Sequence, residues 1–70
     1  MIVKQWGYRE HRIELDLSRG NFVSLIYAPG GSDELSYTPV VEMKHGQQAA
    51  ETAAETFVDD RLEERSRALA

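Results

Sequence analysis

Residues His11–Ala28 read HRIELDLSRGNFVSLIYA, and the apolar residues of the first half recur at every second position. Ile13, Leu15 and Leu17 fall on one side, while Arg12, Glu14 and Asp16 fall on the other. A period of two marks a strand with one buried face. The alternation can be followed back to Gly7, so the sequence predicts a first strand over Gly7–Leu17. Ser18-Arg19-Gly20-Asn21 supplies turn chemistry. Phe22–Ala28 is rich in aromatic and β-branched residues and predicts the second strand of a hairpin. Placing Leu17 opposite Phe22 sets Ile13 opposite Ile26, with all four on the core side. A slip of one residue would bring Val23, Leu25 and Tyr27 to the core instead. Periodicity alone leaves both registers open.

Moving outward, Pro29-Gly30-Gly31-Ser32-Asp33-Glu34 reads as a loop. Leu35–Lys44 predicts a third strand, at a sheet edge or bulged, because Pro39 has no backbone N–H to give to a ladder. Gly46 ends it. From Gln47 to Leu69 the period becomes helical, with an apolar stripe of Ala50, Ala53/Ala54, Phe57, Val58, Leu62 and Leu69. Glu51 towards one end and Arg65 and Arg67 towards the other match the helix dipole. Alanines at 49, 50, 53 and 54 allow a close approach to a sheet. Neither the meander nor the helix can bury its apolar side alone, and packing one on the other serves both. The expected fold is α+β: a three-stranded antiparallel meander packed against one long C-terminal helix, forming a single β-β-β-α domain over residues 1–70.

The composition narrows the function classes. A chain of 70 residues has a thin core, and without cysteine it has neither disulfides nor thiolate chemistry. The net charge is −4, and six of the twelve acids lie in residues 47–70 against three arginines. Such a chain lacks the basic footprint from which phosphate-backbone binding draws most of its affinity, which disfavours nucleic acid as a partner. No apolar run is long enough to span a bilayer, and Met1-Ile2-Val3-Lys4 does not open like a signal peptide. A cytoplasmic protein with no membrane partner is expected.

The stretch WGYREHR, Trp6–Arg12, is the candidate interaction surface, through Trp6, Tyr8, Arg9, His11 and Arg12. In an unbroken strand Trp6 and Tyr8 would share the solvent side with Arg12, making an exposed aromatic pair beside charges. Packing in a small domain favours a bulge at Gly7 that returns Trp6 to the core or the edge, with Met1–Gln5 then a short additional strand or an extension of the first; Tyr8 fits either side. His11 and His45 lack neighbouring ligands at metal spacing and read as surface histidines. The run Asp59–Arg65 reads as a mixed solvated helix face. Pro29-Gly30-Gly31 has no following lysine and hydroxyl for a phosphate loop. Neither Ser32 nor Ser36 has a nucleophile motif around it. The sequence therefore predicts no catalytic, cofactor or metal site.

The pattern Gly7-Tyr8, Ile13-Glu14-Leu15, Pro29-Gly30-Gly31, Ala49/Ala50, Ala53/Ala54 and Val58-Asp59 resembles a broad set of small, uncharacterised bacterial sheet-then-helix proteins. The resemblance implies the fold and no activity. Gly46-Gln47-Gln48-Ala49-Ala50-Glu51 is also similar to the start of the helix in HicB-type antitoxins, which implies a protein-binding role. The Pro-Asp…Gly-Cys segment typical of those antitoxins is absent, as is sequence for a closing strand or a DNA-binding tail. The expected function is a small non-catalytic protein-interaction or self-association module, with a homodimer among its forms. The alternative is a nucleic-acid-associated accessory or antitoxin-like module.

Overall fold

The computed structural model describes the backbone of residues 1–69 and the side chains of residues 1–68. The chain is α+β, with four strands where the sequence predicts three. They are β1 (Ile2–Tyr8), β2 (His11–Ser18), β3 (Asn21–Tyr27) and the short β4 (Val40–Glu42). A single 3-10 turn (Met43–His45) leads to the helix α1 (Gln47–Leu69). The sheet is antiparallel in the order β1-β2-β3-β4.

The expected first strand is cut in two by a turn at Arg9-Glu10, flanked by the Tyr8↔His11 pair. Both turn residues have positive φ, 49° and 68°. That conformation is needed for a two-residue hairpin matching the strand twist, and Asn and Gly normally supply it. Arg and Glu adopt it at a cost, so local chemistry gave no warning. The turn sets Trp6 opposite Ile13, on the side away from Arg12 and Glu14. Trp6 thus packs against the core as expected, but the turn puts it there and not a bulge at Gly7. The irregularity in β1 lies between Ile2 and Lys4.

Of the two registers that the sequence leaves open, the second hairpin takes the one that pairs Leu17↔Phe22 and Ile13↔Ile26. Arg19 and Gly20 form its turn, with φ of 53° and 78°. The expected third strand shrinks to β4. Pro39 lacks an N–H, and Tyr37 has a φ of 61°, so Ser36–Thr38 leaves the ladder. Leu35 N–H still donates to Ile26 O at 2.8 Å, and the Pro39 carbonyl accepts from Ser24 N–H at 3.3 Å.

One face of the sheet is covered by α1. Ala50 meets Leu15 and Phe22, while Ala54 and Val58 meet Ile13 and Ile26. Among the described residues these seven are the buried apolar core, and Trp6, Tyr8, Phe57 and Leu62 pack around it. Leu69, expected on the helix stripe, has its side chain outside the described residues.

Candidate interaction surface

β1 and α1 are joined by three polar rungs. Lys4 Nζ pairs with Glu51 Oε1 at 2.6 Å, Trp6 Nε1–H donates to Glu55 Oε2 at 3.2 Å, and the Tyr8 hydroxyl donates to Asp59 at 3.0 Å. Two residues of strand advance about 6.6 Å and four residues of helix about 6 Å, so the two elements keep step over this length. Lys4 Nζ also lies 5.1 Å from the centroid of the Trp6 ring. The Arg9 guanidinium closes the row on Asp59 at 2.9 Å.

The charges follow these contacts. Arg9, aided by the Tyr8 hydroxyl, holds Asp59 below the usual carboxylate range. Its hydrogen bond to Asp59 pushes the Tyr8 phenol up, since ionising it would lose the donor beside a carboxylate. Lys4, then Gln47, holds Glu51 down.

His11, expected at the surface, is 1% exposed. The turn at Arg9-Glu10 puts it on the core side in register with Tyr8. Its Nδ1 lies 3.0 Å from the Arg9 carbonyl, which can only accept, so Nδ1 carries the proton. Nε2 then accepts from Arg61, at 3.5 Å. Arg12 alone of the five candidate residues stands on the opposite face, its guanidinium 4.2 Å from the centroid of the Tyr27 ring. The stretch Trp6–Arg12 is therefore not one continuous surface. Trp6, Tyr8 and His11 pack on the helix side, Arg9 is tied to Asp59, and Arg12 looks outward.

The face away from α1 carries a different set. Rows across β1, β2 and β3 run Gly7–Arg12–Tyr27 and Gln5–Glu14–Leu25, followed by Ile2–Asp16–Val23, which Val40 of β4 extends. Val40 is 60% exposed and Ile2 39%. Val23, Leu25 and Tyr27 are half-buried among their neighbours. These three are the residues that a one-residue slip would have turned inward. Their signal was in the sequence: β3 is apolar on both faces, as in a strand sandwiched between two layers.

A cleft of about 350 Å³, open to solvent, lies between Leu35-Ser36 and the Phe57, Asp60, Arg61 and Glu64 side chains of α1. Arg61 in its wall is engaged by His11. Among the described residues no three His, Asp or Glu side chains gather as a metal-ligand set, and no helix is long and apolar enough to cross a membrane. No protein-family model matches the chain, and no curated protein or solved structure matches it either.

Proposed function

We propose that this chain is a small, non-catalytic interaction module whose binding surface is the outer face of the sheet. One observation carries the reading: β3 is apolar on both sides, and α1 covers only one of them. A strand that keeps Val23, Leu25 and Tyr27 facing outward, beside an exposed Val40, presents the kind of apolar patch that marks protein contacts. Of the residues expected from the sequence, Arg12 belongs to this surface.

Photo-crosslinking in cells that produce the protein tests the reading. A crosslinking amino acid at position 25, on the outer face, should give protein adducts. The same group at Thr52, exposed on α1, should give none. Adducts absent at position 25, or equal at both positions, would reject the reading.

A further inference from the structure

We propose that the outer face is covered by a second copy of this chain, related by a two-fold axis along the row Gln5–Glu14–Leu25; this rests on the reading of that face given above. A two-fold contact requires a surface complementary to itself, and the order of residues on β2 and β3 meets that requirement. Rotation about the middle row brings the row Gly7–Arg12–Tyr27 over the row Ile2–Asp16–Val23 of the other copy. Arg12 then faces Asp16 of the second copy, twice by symmetry, and shares that carboxylate with the Met1 ammonium 2.6 Å from it. Tyr27 meets Val23, and Leu25 meets its own equivalent. Glu14 also meets its equivalent, and the Arg12 of each copy, 3.8 Å from its own Glu14, offsets that repulsion.

The other simple axis, parallel to the strands between β2 and β3, serves the face poorly. It would press Arg12 on Tyr27, Glu14 on Leu25 and Asp16 on Val23, burying two carboxylates against apolar groups. The axis along the row sets Arg12 against Asp16 and apolar against apolar, and leaves Glu14 as the one like-charge pair. Aligned sheets cross at about 30°, which shifts groups about 6.6 Å from the axis by roughly 3 Å, within the reach of an arginine.

The available area sets the strength. Three strands about 23 Å long and the three-residue β4, about 4.8 Å apart, present roughly 380 Å² in projection, below the ~800 Å² per partner of a standard interface. An area this small makes the dimer a weak, reversible one. The accessible surface, 4815 Å² for 7.9 kDa, exceeds the ~4400 Å² of a compact monomer of this mass.

Sedimentation equilibrium of the full chain from about 10 μM to about 1 mM should show monomer passing to dimer. Leu25→Lys should abolish the dimer, with Trp6 fluorescence reporting an intact fold. Arg12→Asp and Asp16→Arg should each weaken it by about tenfold or more, and the two together should restore it, since the exchanged charges still meet. A wild-type chain that stays monomeric at the highest concentration, or a double reversal without recovery, overturns the inference. Crosslinking at position 25 separates the two claims. An adduct of twice the chain mass supports the second copy. An adduct of another mass, with a monomeric wild type, rejects the second copy and keeps the interaction module. No adduct rejects both.

Discussion

Trp6 donates its indole N–H to Glu55 Oε2 at 3.2 Å, across 49 residues of sequence. It is the middle of the three rungs that fasten β1 to α1. Its ring packs against both clusters of the core, so the contact couples apolar burial to a directed bond. Trp6→Ala should cost about 2–4 kcal/mol, less than a fully buried tryptophan would. Trp6→Phe keeps most of the area and should cost about 1 kcal/mol. Urea denaturation followed by circular dichroism reads both. A Trp6→Ala chain as stable as wild type would show that the ring is idle.

The same rungs predict the pH range of stability. Asp59 and Glu51 are held below their ordinary values, so the stability they contribute is present above the unfolded carboxylate range, about pH 4. It is lost as pH falls through the lower folded values. Tyr8 is shifted up, so its contribution is present below about pH 10 and is lost as pH rises through the higher folded value. Melting temperature should form a plateau with two shoulders. Asp59→Asn should flatten the alkaline shoulder and part of the acid one. High salt should shrink the acid loss, since these pairs are partly exposed. An unchanged pH profile in Asp59→Asn would refute the assignment.

Glu10 has a φ of 68° and no side-chain partner among the described residues. Glycine takes that conformation without strain, so Glu10→Gly should stabilise the fold by about 0.5–1 kcal/mol. In a chain of this size that corresponds to a rise of about 2–8 °C in melting temperature. Arg9 is left in place because it holds Asp59. A lowered melting temperature would mean that the turn is not strained at this position.

Ala54 and Val58 are both fully buried between α1 and the sheet. Ala54→Leu should push the helix off Ile13 and Ile26 and cost about 1–3 kcal/mol. Val58→Ala leaves a cavity and should cost roughly 1.5–3 kcal/mol. Thr52→Ala, on the exposed side, should stay within about 0.5 kcal/mol. Denaturant midpoints rank the three, and equal costs would deny the close helix–sheet contact.

The parts legible in the sequence are those where side-chain period and turn chemistry agree. Ile13, Leu15 and Leu17 alternate into a Gly20 turn and mark the hairpin, while the choice between its two registers came only with the packing of α1 on Ile13 and Ile26. The alanines and Phe57 mark the helix that covers it. The turn at Arg9-Glu10 was hidden because neither residue favours positive φ. Tertiary demand forces it there, bringing Trp6 and Tyr8 under α1. His11 followed Tyr8 into the core for the same reason. The expected third strand failed because Pro39 cannot donate to the ladder and Tyr37 bends away from it. The rungs were readable after all. Glu51, Glu55 and Asp59 step by four, and Lys4, Trp6 and Tyr8 step by two, which is the match a helix and a strand need to run side by side.

Those rungs join groups 47, 49 and 51 residues apart, while the hairpins close over two. Local pairs form early, and distant ones wait for the entropy of a long closure to be overcome. On the ribosome, β1, β2 and β3 can therefore pair before α1 has been made. The side that α1 will cover stays bare until the last third of the chain emerges, and this is the interval in which the protein is most open to misassembly.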